Sequence, residues 1–560
     1  MASHDKPELV DEDAPGQPIS VPDSTEAGES GKLKMIVQLV KKCLGVKDIA
    51  AMRLSLPASL LEPIPNLEYW HYLDRPDLFA AINDSDDPFE RMLAVLRFTF
   101  SKDLKFIKGK VCKPYNSVLG EHFRSHWDVI PVSYPSDPCE PPIQHLYVSP
   151  PVPEDTSGGW LSGPGTHSMP DVAHPSLSES ASIKSGKSGK SAFSRFSFMS
   201  RGDAATAKST PATSPELGET NLEAGMSSLS LANDQASGVA DLLETDESAA
   251  DKPRVRIAYL TEQVSHHPPV SAFYASCPSR RVELAGVDQI SAKVSGTTLR
   301  VMPGAFNKGI FVRLTGPPGG AGETYHITHP VAAVNGLLRG SFYITVGDST
   351  IVTCSGGGDG PKLRAIIEYK EQSWLGKAQF QCEGVIHTYD PAESVHEEWT
   401  RVKHVPQERV LAVFDGSWRS LIRWKRVDAP DSEYATLLDL STLHVVPKAV
   451  RPLEKQLPNE SRKLWESVTS RLLKKEYSEA TKHKLAIEQK QRDEAAERKR
   501  KGVPFVPRYF DPDISSGFPT LTEEGRKALE EEFKEPAEHK LEAEEEEAPA
   551  TPAAGNASKA

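Results

Sequence analysis

Between residues 255 and 425 the chain strings together RVRIAYL, SAFYASC, RVELAGV, TTLRVMP, ETYHITH, SFYITVG, STIVTCS, KLRAIIEY, AQFQCEGVIH and SWRSLIRW, separated by Gly, Pro and Asp. Short runs rich in β-branched and aromatic residues, bounded by such punctuation, read as strands and turns. So many strands in succession predict meandering antiparallel pairing into a large curved sheet or barrel. Helical periods flank them. GKLKMIVQLVKKCLG (31–45) places Leu33, Ile36, Val37, Val40 and Leu44 on one stripe, with Lys34, Lys41 and Lys42 off it. Beyond Pro458, ESRKLWESVTSRLLKKEYSEATKHKLAIEQKQRDEAAERKRKG runs almost without a breaker to Gly502, predicting a long helix. The fold class is mainly β with flanking helices.

Composition divides the chain. With 560 residues, 38% apolar and 26% charged, it can bury a real core. Residues 1–30 are acidic and nearly free of large apolar side chains, so an unstructured tail is predicted there. Residues 151–252 are dominated by Ser, Gly, Ala, Thr and Pro and read as a long disordered insertion. It separates a first folded part, 31–150, from a second, 253–510, and 511–560 reads as an acidic, mostly solvated tail. Within the insertion, SASIKSGKSGKSAFSRFSFMSR (180–201) is a basic segment whose charge phosphorylation would cancel.

The formal charge of -13 opposes non-specific nucleic-acid binding, which needs a net basic face. The cysteines, Cys43, Cys112, Cys139, Cys277, Cys354 and Cys382, have no CxxC spacing, so neither a zinc knuckle nor a disulfide framework is expected, and a reducing compartment is. The N-terminus has no apolar signal region, and nowhere do about 18 apolar residues run together. A cytoplasmic protein is expected, without metal or cofactor.

The stretch EQVSHHPP (262–269) concentrates the chemistry. His266 and His267 fit four roles: metal ligands, acid/base groups, anion binders or polar residues at a strand end. On a regular strand adjacent side chains point to opposite faces, but Pro268 and Pro269 cannot donate ladder hydrogen bonds and free the pair from strict alternation. Imidazole gains a proton readily beside a phosphate and then donates charge-assisted hydrogen bonds. No third metal ligand is spaced nearby. A hydrolase using Ser265 with His266 or His267 is the enzyme alternative, but no GxSxG elbow occurs and the strands do not alternate with helices.

EQVSHHPP is also the signature of the oxysterol-binding protein family of lipid transfer proteins, and the chain resembles that family further in LSLPASLLEP, DPFERMLAVLRFTFS, KPYNSVLGEHFRSHW, ESRKLWESVT and KGVPFVPRYF, in the family's order. The resemblance implies a near-complete antiparallel barrel around a lipid-sized tunnel, an N-terminal helical lid and buttressing C-terminal helices. It implies non-enzymatic transfer, often of sterol or phosphatidylserine in exchange for phosphatidylinositol 4-phosphate, by a protein acting peripherally at endoplasmic reticulum, Golgi or plasma-membrane contacts. A lipid-regulated scaffold with little net transport is the alternative within this class.

By that resemblance Lys113 and Asn116 match family head-group ligands, an ammonium and an amide suited to phosphate and inositol oxygens. Ser117 stands where the family usually has proline, which loosens the expectation for Asn116's turn. Lys484, Glu488 and Arg492, at i, i+4 and i+8, share one helix face and match the family's basic pair with its acidic spacer. Lys484 and Arg492 would face the phosphate, with Glu488 orienting Lys484 or accepting a ring hydroxyl. Leu33, Ile36, Val37, Val40 and Leu44, with Leu56 and Leu60 of LSLPASLLEP, are the expected lid and tunnel mouth. LPASLLEP resembles the family's phosphatidylserine-associated LPxxxLE branch more than its sterol-associated PVxFNEP branch, and both lipids stay open. The 30 or so leading residues leave no space for a pleckstrin-homology unit. EFKEPAE (532–538) distantly resembles the FFAT motif read by an endoplasmic-reticulum receptor, with Lys534 and Pro536 breaking it.

Overall fold

The computed structural model describes residues 19–20, 29–50, 54–108, 112–137, 140–145, 252–296, 298–336, 343–358, 362–370, 380–429 and 432–536. The chain divides into Met1–Pro151 with Leu243–Ala560, and Val152–Leu242. The whole of the second unit, and with it the core of the predicted 151–252 insertion including 180–201, lies outside the described residues, as do 1–18 and 537–560.

The dominant element is a twelve-stranded antiparallel sheet. Its strands are β1 (His122–Val129), β2 (Val255–His266), β3 (Pro269–Cys277) and β4 (Val282–Asp288), then β7 (Ile310–Leu314), β8 (Glu323–Ile327) and β11 (Ser349–Gly356). They continue with β12 (Lys362–Tyr369), β13 (Gln381–Tyr389), β14 (Val410–Ser417), β15 (Leu421–Arg426) and β16 (Ala435–Asp439). Two hairpin excursions interrupt the meander: β5 (Ile290–Ser295) with β6 (Thr298–Pro303), and β9 (Val331–Asn335) with β10 (Tyr343–Gly347). Pairing of β6 with β9 joins them into a separate four-stranded sheet. The strand-rich region therefore extends past both ends of the sequence prediction, to 122 and to 439.

β1 and β16 are the sheet's two edges and do not pair with each other. Unpaired edges expose orphan N–H and C=O groups, and both edges here are covered. Residues 446–460 lie along β1: His126 and Ala449 exchange backbone hydrogen bonds of 3.1 and 2.8 Å, and His122 N donates to Asn459 O at 3.1 Å. On β16, the Leu437 carbonyl accepts from Arg97 Nε at 3.1 Å.

That arginine belongs to α2 (Pro88–Ser101), whose start is written in the sequence: Asp87 caps it by accepting from Phe89 N at 2.8 Å, and Pro88 occupies the first turn. Met92, Leu93, Val95, Leu96 and Phe98 of α2 are fully buried and share one apolar core with inward residues of the strands, among them Phe123, Trp127, Ile257, Tyr259 and Phe273. Burying each such side chain contributes about 1.5–3 kcal/mol.

α1 (Glu29–Cys43) forms where the lid helix was predicted, but its buried residues are Met35 and Cys43, with half-buried Leu39 on the same line, one residue earlier than the predicted stripe. Ile36, Val37 and Val40 are half-buried, Leu44 is 53% exposed, and the side chain of Leu33 lies outside the described residues. One residue is about 100° of helix rotation. The physical cause is the docking partner: Val40 and Cys43 settle on Ala292 and Val294 of the small sheet, while Leu39 also reaches a second cluster.

The predicted single C-terminal helix is two: α3 (Ser461–Leu473) and α4 (Tyr477–Lys501), broken with no Gly or Pro at Lys474–Glu476, where Lys475 takes a left-handed φ of 59°. The break lets Tyr477, Ala480 and Ile487 of α4 turn back onto Trp465, Val468 and Leu472 of α3. A further correction falls on 511–560. Glu523–Lys534 is a helix, α5, capped by Thr522 accepting from Gly525 N at 3.1 Å, and its Ala528, Leu529 and Glu532 are buried against β2 and β1. Acidic composition hid its apolar face. Glu532 and Phe533 of the FFAT-like tract are built into this helix, Glu532 with no exposure and ion-paired to His126, so the tract is not an extended peptide there.

Candidate functional site

The site begins with a backbone pairing: Glu62 N donates to Lys113 O at 3.0 Å and Tyr115 N to Ile64 O at 3.2 Å, tying KPYN to the end of LSLPASLLEP. Tyr115 is the anchor. Fully buried, it lies 4.9 Å from the Trp465 ring and shares a 2.9 Å hydrogen bond with Thr469 Oγ1, fixing the segment to α3. Its neighbours then face outward: Lys113 Nζ donates to Asn116 Oδ1 at 2.7 Å and to Pro114 O at 2.9 Å.

The turn after Asn116 is held by Glu121, a residue to which sequence reasoning assigned no role. Its carboxyl accepts from Val118 N (3.0 Å), Ser461 Oγ (2.7 Å) and Trp465 Nε1 (3.0 Å), and Glu121 N closes the turn onto Val118 O. Gly120, at φ 77°, completes it; a side chain there would meet the Phe505 ring at 3.2 Å. These bonds restrain the turn that Ser117 leaves without a proline. Full burial pushes the Glu121 carboxyl up to about 7, against the opposing pull of those donors. The signal was present in sequence, an acidic residue beside Gly120 in one block and a Trp in another, but their meeting is tertiary.

α4 brings the second group. Lys484 is buried and paired with Glu488 at 2.6 Å, as the i, i+4 spacing predicts. Arg492 lies two turns on along the same face, half-buried, its guanidinium donating to Gln489 Oε1 at 2.7 and 3.1 Å. α4 is itself pinned to the lid region: Ala58 N donates to Thr481 Oγ1 at 3.2 Å, and Leu56, Ala58 and Leu61 pack with Tyr115, Trp465 and Ala480, with Leu39 of α1 against them. Leu60 is half-buried in the same stretch.

Electrostatics joins the two groups. Lys113 is half-buried, and burial first, then the Lys484 ammonium, lowers it to about 8. Two like charges within electrostatic reach of each other, one of them paired with Glu488, raise the local positive potential.

The histidines stand at the end of β2, not the start of a strand, and β2 and β3 form a tight hairpin turning at His267 and Pro268, whose peptide bond is cis. Cross-strand partners share a sheet face. A bulge at Val264 shifts the register between Gln263 and Ser265, so that His266 partners Pro269 and lies on the face of Gln263, Ser271 and Phe273, the inner one. The two imidazoles meet edge to face, with centroids 4.6 Å apart. Gly120 N donates to Gln263 O and Gln263 N to Glu121 O, so the ladder leading to the histidines starts at the turn that carries Asn116.

At the small sheet, Ile49 N donates to Ala292 O at 2.7 Å, and Asp48 Oδ1 accepts from Ala292 N at 2.9 Å and Ala50 N at 3.0 Å. The chain following α1 is thus latched to the small sheet, a contact no sequence motif announced. Among the described residues no helix is long and apolar enough to cross a membrane.

Comparison with known proteins bears on the family and the fold. The sequence model of the oxysterol-binding protein family matches residues 35–138 and 242–535. The chain is 40% identical over 507 residues to oxysterol-binding protein-like protein 1 of Schizosaccharomyces pombe, covering 90% of this chain and 91% of that one. It is 29% identical over 252 residues to oxysterol-binding protein homolog 7 of Saccharomyces cerevisiae, covering 45% of this chain and 52% of the relative. Its fold is similar to the crystal structure of the Osh1 ORD domain in complex with cholesterol, with a TM-score of 0.51, 16% identity and 93% of each chain covered. Members of the matched family bind and carry lipids without transforming them, which removes the hydrolase alternative. A family signature at the hairpin, a curved antiparallel sheet with flanking helices and a match across most of the length lead to one conclusion: the chain belongs to the oxysterol-binding protein family.

Proposed function

We propose that this protein extracts a sterol or phosphatidylserine into an apolar tunnel and exchanges it for phosphatidylinositol 4-phosphate between membranes. In this reading the sheet wraps as a near-complete barrel around the lipid, α1 and the following LSLPASLLEP form the lid, and Lys113, Asn116, His266, His267, Lys484, Glu488 and Arg492 receive the phosphorylated inositol. The observation that carries it is the Lys113 ammonium set against Lys484, a like-charge pair that a phosphate between them would stabilise. The neighbouring fold was crystallised with cholesterol, which makes a sterol the first cargo to test. The protein works peripherally, on anionic faces of endoplasmic reticulum, Golgi or plasma membrane, and the 151–252 insertion is dispensable for carriage because loop-closure entropy grows slowly with length.

The test is transfer between donor and acceptor vesicles, with mass spectrometry of the lipids that co-purify with the protein. A carrier moves labelled phosphatidylinositol 4-phosphate and a second lipid in opposite directions and returns both intact. Saturable binding without net movement would assign a sensor or scaffold instead.

A further inference from the structure

Beside the head-group site, α4 ends in a form that its packing does not explain. Arg498, Lys499, Arg500 and Lys501 fill its last turn, and Gly502 stops the helix at φ 65°, with Gly502 N donating to Lys499 O and Val503 N to Arg498 O, both at 3.1 Å. The chain then turns into VPFV, where Val503 is 55% and Val506 64% exposed. This loop is clamped, so the valines are held in water by structure. Phe505 lies under the Arg498 guanidinium, 5.8 Å from ring centre to cation, and against Gly120. Beyond it, Glu262 accepts from Arg508 N and Tyr509 N, both at 2.8 Å.

We propose that this corner, Val503 and Val506 with the basic turn of α4, is a docking wedge for an anionic lipid bilayer. Two observations select that occupant. Leaving Lys499 aside, Arg498, Arg500 and Lys501 face one carboxylate of the turn, Glu497, which pairs with Arg500 at 2.6 Å and Lys501 at 3.0 Å, so a positive excess remains. Basic side chains beside a bilayer are attracted to anionic head groups, while aliphatic side chains enter the boundary beneath them. A purely acidic partner, such as the chain's own LEAEEEE (541–547), satisfies the charge and gives the valines no apolar surroundings. Gly120 ties the wedge to the turn carrying Asn116, so docking would bring the head-group site to the membrane from which it takes lipid. The inference rests on the carrier reading for its purpose, and on the exposed loop alone for its existence.

The experiment is co-sedimentation of the full chain with phosphatidylcholine vesicles with and without phosphatidylserine, across a salt series. Val503→Ser with Val506→Ser is expected to weaken binding to anionic vesicles about tenfold at every salt concentration, because partial burial of two valines is lost. Arg500→Gln with Lys501→Gln is expected to weaken binding at low salt and flatten the salt dependence. Deleting 541–547 is expected to leave binding unchanged. Unaltered vesicle binding by the valine variant overturns the proposal, as does a several-fold rise on deleting 541–547 that no longer depends on the valines. Uptake of a soluble short-chain phosphatidylinositol 4-phosphate, followed by tryptophan fluorescence, separates the two readings. Wild-type uptake in the valine variant confines its effect to docking, and absence of uptake in the wild type defeats the carrier reading while valine-dependent vesicle binding still upholds the wedge.

Discussion

Two groups of charged side chains, one on the outer face of β1 and one around the KPYN segment and α4, are built from the same residue types and arranged differently. On the outer face, Arg124 pairs with Glu460 at 3.4 Å and Glu531 at 2.7 Å, Arg451 with Glu460 at 3.2 Å and Glu532 at 3.1 Å, and His126 Nδ1 with Glu532 at 3.1 Å. All but Glu531 are buried, and each buried arginine and glutamate has an oppositely charged partner within 4 Å. This cluster docks α5 onto the sheet. Around KPYN and α4, Lys113 and the Lys484–Glu488 pair come within electrostatic reach of each other, and burial first, then the Lys484 ammonium, brings Lys113 down to about 8. The first arrangement is an internal joint, and the second is the seat proposed for the head group.

The comparison breaks most visibly at the outer cluster. Glu460→Ala leaves Arg124 and Arg451 buried beside a missing carboxylate, and stability measured by urea unfolding is expected to fall by about 3–5 kcal/mol. Lys484→Met, by contrast, is expected to lower unfolding stability by about 1–3 kcal/mol, since Glu488 loses a buried partner but is itself one-fifth exposed, and a repulsion with Lys113 is removed. If both variants unfold alike, the distinction between joint and seat is wrong.

His266→Ala with His267→Ala tests the seat directly. Each charge-assisted bond lost to the phosphate is worth about 1.5–3 kcal/mol, so phosphatidylinositol 4-phosphate affinity should fall roughly tenfold or more per bond. A sterol, having no phosphate, should bind as before, with unfolding still cooperative because a hairpin pair does not fill the core. Equal affinity of mutant and wild type for the phosphoinositide would remove the histidines from the site.

The lysine pair sharpens the contrast through pH. The folded-state value of Lys113 lies below the usual lysine range, so the unfolded chain holds its proton longer, and stability of the ligand-free protein rises as pH climbs from about 8 towards 10. Phosphate binding needs that proton. Affinity should therefore decline above pH 8 by up to about tenfold per pH unit, a slope set by one proton. Lys113→Arg should abolish the decline, and Lys484→Met should move its onset to higher pH.

The smallest effect is expected at Ser117→Pro, which puts the family's usual residue into a turn already held by Glu121. A gain of about 0.4–1 kcal/mol in stability is expected if the proline fits the backbone there, with head-group affinity unchanged. A marked loss of affinity would mean that Asn116 needs the freedom Ser117 provides.

How much was legible in advance varies from element to element. The strands between 255 and 425 were readable because period-2 patterning and turn residues act locally, and α2 announced its start through Asp87 and Pro88. Lys484 and Glu488 met because helical spacing alone brings i and i+4 together. The break at Lys475 was not readable, since no local breaker marks it and only the folding of α4 onto α3 requires it. The rotation of α1 was hidden likewise: several apolar residues span adjacent stripes, and Ala292 and Val294 select among them.

By itself, then, the sequence determined most of the strands, the family and the identity of the candidate head-group residues, because each is carried by neighbours within a few residues. Tertiary structure alone decided that Glu121 meets Trp465 and Ser461 across more than three hundred residues, and that the Val264 bulge turns His266 inward. It also decided that Arg124 and Arg451 close onto Glu460 and Glu532, and that Lys113 comes within electrostatic reach of Lys484. Those outcomes depend on which charges are buried together and how well they balance, and neither quantity exists until the chain has folded.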